Sequence, residues 1–144
     1  MTVVCAGVLL AASLLVAAGA GGASVSFETV ARGVHSRLSE PLQAVIRTPE
    51  EWAALWTRHA GVEPPPFVDF TRDMVVAIFA GARPTSGYQV EIAGVRVVDQ
   101  NIEVTYRERT PPAGAPRRPV VTAPFDVIRL PRSEMPVRIR LDPA

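Results

Sequence analysis

The stretch MVVAIFA, residues 74–80, is the part of the sequence that decides the fold. Every residue in it is apolar, so a strand built from it would be buried on both faces rather than on one. Strands of that kind lie inside a sheet and are covered on both sides. The pattern therefore predicts a central strand at 74–80 with the rest of a β-sheet arranged around it.

The neighbouring segments carry the weaker pattern of half-exposed strands. Residues 88–92 and 102–107 alternate apolar with polar side chains, as strands with one face in the core do. Gly94 predicts a bulge between them, and the polar triplet at 99–101 predicts a tight turn. Further strands are predicted at residues 27–34, 42–47, 125–130 and 137–141. The fold class is β-rich (α+β), with six to eight mostly antiparallel strands in a sheet or sandwich.

One short amphipathic helix is predicted at about residues 49–59. Thr48 supplies an N-cap hydroxyl, Pro49 occupies the first helical position, and Glu51 follows three residues after the cap, which together form a capping box. Four side chains then recur at helical spacing on one face: Trp52, Leu55, Trp56 and His59. Because tryptophans at this spacing are far more often core than ligand site, we expect both to anchor the helix on the sheet.

The first residues predict a secretory leader. Residues 3–18 are an uninterrupted apolar run, followed by small residues, and none of the first 27 residues is charged. The run is shorter than the ~20 apolar residues of a membrane-spanning helix. We expect residues 1–20 to be a signal peptide cleaved between 20 and 24. The remaining chain, 24–144, would then be a single exported domain with no stable membrane span.

Composition narrows the range of functions. The chain carries 15 Arg and no Lys against 14 Asp and Glu, a net charge of +1, whereas binding to nucleic-acid phosphates needs a clustered positive excess. No nucleic-acid partner is expected. One Cys and two His are too few for a structural zinc site with four such ligands. We expect no cofactor and no metal.

The residues that could support catalysis are few. Adjacent strand residues point to opposite faces, so His35 and Ser36 are not expected to form a nucleophile–base pair. His59 ends the helix, where an imidazolium would interact favourably with the exposed carbonyls. Asp69 and Asp73 lie outside any recognisable calcium loop. We therefore predict no catalytic residue and no enzyme activity, with a small hydrolase built on His35 or His59 as the remaining alternative.

The loop after the central strand is the best candidate for a binding site. It consists of Arg83, Pro84, Thr85, Ser86, Gly87 and Tyr88. Arginine and tyrosine are common in interface hot spots, and a loop held by a rigid strand loses little entropy on binding. Pro, Ser and Gly are equally the residues of a hairpin turn, so a purely structural turn is the competing interpretation.

Several motifs along the chain resemble one family. They are GVHS at 33–36, VIRT at 45–48, EWAALW at 51–56, VDF at 68–70, residues 74–81, PTSGY at 84–88 and TAPF at 122–125. In this order they resemble the PrcB C-terminal-like domain, which is named after an accessory subunit of a bacterial cell-surface protease complex. The resemblance implies an exported, non-catalytic module associated with a proteolytic system.

A second likeness is limited to one loop. The segment RPTSGY, residues 83–88, is similar to the NPTTGY loop of chagasin-type cysteine peptidase inhibitors, with arginine in place of asparagine. We therefore expect an exported protein-interaction module, accessory to a protease or cell-envelope complex, whose partner is a protein and could be a peptidase. The alternative is a peptidase inhibitor that acts through residues 83–88.

Overall fold

The computed structural model describes residues 22–143, which form eight strands and one helix. In chain order these are β1 (Ala23–Ser24), β2 (Glu28–Gly33), β3 (Leu42–Ile46), α1 (Pro49–Ala60), β4 (Asp73–Phe79), β5 (Gln89–Val98), β6 (Asn101–Arg109), β7 (Phe125–Pro131) and β8 (Val137–Leu141). The predicted leader lies outside the described residues. In the part of the chain that is described, no helix is long and apolar enough to cross a membrane.

The strands form two four-stranded sheets. The first sheet has the order β1-β5-β6-β8 and the second has the order β2-β7-β4-β3. All pairings are antiparallel except that of β6 with β8. The β-rich class, the mostly antiparallel pairing and the single helix are thus confirmed.

Strand β4 is an inner strand of the second sheet and separates two apolar clusters. Val75, Ala77 and Phe79 face the helix, whereas Met74 and Ile78 face the first sheet. Side chains in a strand alternate between its faces, so a strand covered by a helix on one side and a sheet on the other must be apolar throughout. The molecule is therefore built in three layers: helix, second sheet and first sheet.

Helix α1 is held in place through its N-terminal cap and its buried face. The Thr48 side chain accepts a hydrogen bond from the Glu51 amide, as the capping box predicts. Trp52, Leu55, Trp56 and His59 form the buried face. The Trp52 indole also donates to the carbonyl of Pro66 at 3.0 Å, which fixes the proline connector that follows the helix. The interpretation of both tryptophans as core residues is consistent with this geometry.

Strands β5 and β6 form one long hairpin. The pairing register shifts between Ile92 and Gly94, where the sequence predicts a bulge. The turn between the strands contains Asp99 and Gln100, both with positive φ, which matches the twist of two-residue hairpin turns.

The segment between β4 and β5 is different, because these two strands belong to different sheets. Residues 83–88 therefore cross from one sheet to the other, and the interpretation of this segment as a hairpin turn is wrong. A turn of Pro, Ser and Gly suits any sharp change of direction, so composition alone could not distinguish the two cases.

Candidate functional site

The 83–88 loop leaves the C-terminal end of β4, at one end of the sandwich. The preceding Gly81 has φ +82°, and a Cβ there would lie 2.9 Å from the backbone nitrogen of Pro41. The Ala82 amide donates to the carbonyl of Ser39 at 2.8 Å. The base of the loop is thus packed directly on the segment before β3, and only glycine fits at that contact.

The loop is tied along its length to the segment before β7. Arg83 and Thr122 exchange both backbone hydrogen bonds, at 2.7 and 2.9 Å. The Thr122 hydroxyl donates to the carbonyl of Thr85 at 2.9 Å. Ser86 and Arg118 also bond reciprocally, since the Ser86 amide donates to the Arg118 carbonyl and the Arg118 amide donates to the Ser86 hydroxyl. These bonds fix the loop before any partner arrives.

Gly87 allows the loop to lie against the proline-rich segment. Its φ is +97°, and a Cβ at this position would lie 2.8 Å from the Cγ of Pro111. A larger residue would be strained by its backbone angle and would also push the two segments apart. Pro84 and Gly87 remain exposed.

The Arg83 side chain lies over the loop rather than free in solvent. Its guanidinium donates to Glu108 at 3.3 Å and lies 6.0 Å from the centre of the Tyr88 ring. About a quarter of the side chain, 26%, is exposed. The arginine is therefore oriented by an ion pair and an aromatic face, with part of its surface available to a partner.

A second exposed segment lies beside the loop and was not among the predicted site residues. Val120 and Val121 are 48% and 69% exposed, and they follow the exposed Arg117, Arg118 and Pro119. We call residues 83–88 and 117–121 together the loop-end surface. Two adjacent valines at the end of a proline-rich stretch could have indicated an exposed apolar patch. The hydrogen bonds that bring this segment to the loop, however, join residues far apart in the sequence.

A shallow cavity adjoins this surface. Its volume is about 330 Å³, and it is lined by Val121, His35, Ser36, Arg37 and neighbouring residues. Apolar and cationic side chains therefore meet at this end of the sandwich, which suits a partner that offers apolar contacts together with carboxylates.

The two histidines have different surroundings. His35 is exposed, whereas His59 is buried and lies edge-on against Trp56 and Phe125, with ring centroids 4.8 and 4.3 Å away. Burial lowers the pKa of His59, although the charge of Glu63 opposes this shift. Burial among aromatic side chains disfavours the charged ring and so opposes the imidazolium expected at the helix end.

His59 contacts Ser36, and this is the nearest approach to a nucleophile–base pair. The Nδ1 atom lies 2.8 Å from the Ser36 hydroxyl, which also accepts from the Leu38 amide. The Ser36 hydroxyl donates to Nδ1 in the tautomer that carries its proton on Nε2, and accepts from Nδ1 in the other tautomer. Glu63, the acid that acts on the ring electrostatically, makes no hydrogen bond to it. Among residues 22–143, the pair therefore lacks the orienting acid of a catalytic triad.

The buried imidazole predicts a loss of stability in acid. In the unfolded chain, His59 binds a proton near the ordinary histidine pKa of about 6.5. In the folded chain, it binds the proton only at lower pH. The stability from this group is thus fully present above about pH 6.5 and is lost as the pH falls through the lower folded pKa. Urea unfolding at pH 7.5, 6.5 and 5.5 should show this loss, and His59→Phe should reduce it. Because His35 is present in both proteins, an unchanged pH dependence in the variant would contradict the assignment.

The acidic pair at the start of β4 is structural. Asp69 accepts from the amide and the hydroxyl of Thr71, which lowers the pKa of its carboxyl, and its carbonyl accepts from the Asp73 amide at 2.8 Å. It therefore closes a turn. Within residues 22–143, no three His, Cys, Asp or Glu side chains come together as metal ligands would.

The opposite end of the sandwich has a larger cavity, about 640 Å³. Phe67, which is 84% exposed, lies at this cavity together with the ion pair of Glu28 and Arg129. The seven residues of β4 separate this end from the loop-end surface by about 20 Å. Each end thus offers a distinct place for a partner.

Comparison with known protein families gives a match that covers residues 74–131 and is described as PrcB C-terminal. The matched segment begins in β4, includes the 83–88 loop and residues 117–121, and ends with β7. Comparisons with curated proteins and with solved structures found no match.

Proposed function

We propose that this chain, whose residues 74–131 match the PrcB C-terminal family, is an exported, non-catalytic module that binds a protein partner through the loop-end surface. The family resemblance supports an accessory role in a protease or cell-envelope complex. The apolar run at residues 3–18, within a first 27 residues that carry no charge, supports export.

The observation that carries the proposal is the attachment of the 83–88 loop to residues 118 and 122. The loop and the segment at 117–122 form one fixed surface. It is held by the reciprocal hydrogen bonds between Ser86 and Arg118 and between Arg83 and Thr122. A surface that is already ordered loses little conformational entropy when it binds. Exposed Val120 and Val121 add apolar area that can be buried against a partner.

The geometry of Ser36 and His59 supports the proposed non-catalytic role. The imidazole is enclosed by aromatic side chains, and no acid in the described part of the chain forms a hydrogen bond with it. We interpret the pair as a tie between helix α1 and the segment after β2.

Peptidase inhibition remains the second candidate, and one observation favours it. Pro84 and Gly87 are exposed at the tip of a loop that is anchored on both sides. A rigid projection of this kind suits insertion into an active-site cleft. Dose-dependent inhibition of one member of a panel of cysteine and serine peptidases would establish it, and inhibition that persists in Gly87→Val would argue against the loop as the cause.

The partner-binding proposal predicts a selective effect of Arg83→Ala. Tagged protein captures the partner from the native culture, and the affinity of the purified pair is then measured. Arg83→Ala should weaken binding by ~1 kcal/mol or more, about fivefold, because an interface arginine is lost. Its unfolding free energy should change by less than ~1 kcal/mol, as for other surface ion pairs.

Arg129→Ala is the matched control for this measurement. Arg129 is also a partly exposed arginine in an ion pair, with Glu28, but it lies at the opposite end of the sandwich. The control should bind normally. If folded Arg83→Ala binds the partner with the parent's affinity, the loop is not the contact surface.

A further inference from the structure

The outer edge of the first sheet is open along β8. The described strand order ends with β8, which pairs with β6 on one side only. The Ile102 amide donates to the Pro136 carbonyl, and the Asp142 amide donates to the Tyr106 carbonyl. In this register β8 uses its even-numbered residues to bond β6, so the N–H and C=O groups of Val137, Ile139 and Leu141 point away from the sheet.

The side chains of this strand are arranged as in an interior strand. Val137 and Ile139 pack on the apolar cluster between the sheets, while Arg138 and Arg140 lie on the outer face. Leu141 continues the apolar series and is 53% exposed. The unpaired N–H and C=O groups of an edge strand are a template for another strand.

The charges on the outer face of the first sheet indicate what charge an added strand would carry. In the sheet register, Arg96 of β5 stands opposite Glu103 of β6, and Glu103 stands opposite Arg138 of β8. Arg140 also donates to Glu103 at 3.3 Å. In this row, the sign of charge alternates from strand to strand and ends on Arg138. The nearby Asp142 carboxylate is held by Arg107 at 2.8 Å.

A second copy of this chain does not complete the pattern. Antiparallel pairing of two β8 strands about Ile139 would place Arg138 opposite Arg140, and parallel pairing in register would place each arginine opposite itself. Like charges directly opposite destabilise a pair of strands, whereas opposite charges stabilise it. The edge therefore favours a strand that carries carboxylates over its own copy.

We propose that the β8 edge accepts an extended segment of a partner protein in which acidic residues alternate with apolar ones. The segment adds a fifth strand to the first sheet. Its backbone would bond the outward groups of residues 137, 139 and 141, and its carboxylates would stand beside Arg138 and Arg140. This inference does not depend on the loop-end surface.

Synthetic peptides test this proposal directly. The probe is a ten-residue blocked peptide of alternating Glu and Val, and the comparison peptide has Lys in place of Glu. Titrated at millimolar concentration into ¹⁵N-labelled protein, the Glu peptide should shift the amide signals of Val137, Ile139 and Leu141 and protect them from exchange. The Lys peptide should not bind. Binding should weaken as salt is added.

Variants separate the contribution of charge to peptide binding from the contribution of backbone hydrogen bonds. The double substitution R138Q/R140Q should weaken binding of the Glu peptide about tenfold, because two opposite-charge pairs are lost. R129Q, on the other sheet, should have no effect. Leu141→Pro removes an outward N–H while leaving the bonds to β6, and should weaken binding more than Leu141→Thr does.

Three results would overturn the proposal. The first is that the Glu peptide leaves the amide signals of residues 137–141 unchanged. The second is that both peptides bind equally well. The third is a concentration-dependent dimer in sedimentation that Leu141→Pro abolishes, because the occupant of the edge would then be a second copy.

Discussion

Replacing Trp52 with alanine should lower the free energy of unfolding by ~3–5 kcal/mol, a large part of the ~5–15 kcal/mol of a typical domain. The side chain is 3% exposed and packs with Trp56 at a centroid distance of 5.2 Å. Its loss leaves a cavity between α1 and the second sheet and removes the bond to Pro66. Chemical unfolding monitored by circular dichroism measures the change.

Trp52→Phe is the matched control, because it keeps most of the packing and loses only the indole donor. It should cost clearly less than Trp52→Ala. Val62→Ala, at a fully exposed position, should be near neutral. If Trp52→Ala keeps the parent's stability but abolishes partner binding, the tryptophans form a ligand site and their assignment to the core is wrong.

Replacing Asp126 with alanine should produce the second large effect, a loss of about 3 kcal/mol. This carboxylate is completely buried, on the face of β7 that also carries Ile128 and Leu130. It accepts from the Ile92 amide at 2.7 Å and from Arg32 at 2.9 Å. It therefore joins the two sheets, and its removal leaves a buried N–H without an acceptor.

Asp126→Asn distinguishes the hydrogen bond from the charge. The amide oxygen can still accept from Ile92, but the ion pair with Arg32 is lost, so the cost should be smaller than for alanine. Hydrogen exchange at the Ile92 amide provides a local measurement beside urea unfolding. An alanine variant that is as stable as the parent, with that amide still protected, would contradict this account of Asp126.

Most elements of the fold could be predicted from local sequence. The apolar run at 74–80, the capping box at 48–51 and the alternation at 102–107 each follow from burial or from backbone hydrogen bonding within a few residues. The helix accordingly spans Pro49–Ala60, close to the predicted 49–59, and β8 spans Val137–Leu141 as predicted. Such features depend on neighbours along the chain, which the sequence shows directly.

Features that depend on distant residues were not predictable in this way. Nothing local indicates that β8 pairs in parallel with β6, or that residues 83–88 cross between sheets. Asp126 was not identified, although a single acidic residue inside an apolar strand is a recognisable signal of a buried interaction.

The candidate site was predicted only in part, for the same reason. The sequence identifies the 83–88 loop through its residue types, and the positive φ of Gly87 agrees with the expected turn geometry. It does not show that Arg118 and Thr122 hold the loop, or that Val120 and Val121 lie beside it. Hydrogen bonds between residues more than thirty positions apart in the sequence determine which side chains share this surface.

Photo-crosslinking in the native host tests the central proposal most directly. A photoreactive amino acid is placed at Val121, in the loop-end surface, or at Phe67, at the opposite end of the sandwich; both positions are well exposed. The proposal predicts that the Val121 variant crosslinks to a discrete protein in the exported fraction, that Arg83→Ala in the same chain reduces the product, and that the Phe67 variant gives none. A discrete product from Phe67 with none from Val121 would contradict it, and would place the partner at the other end of the molecule.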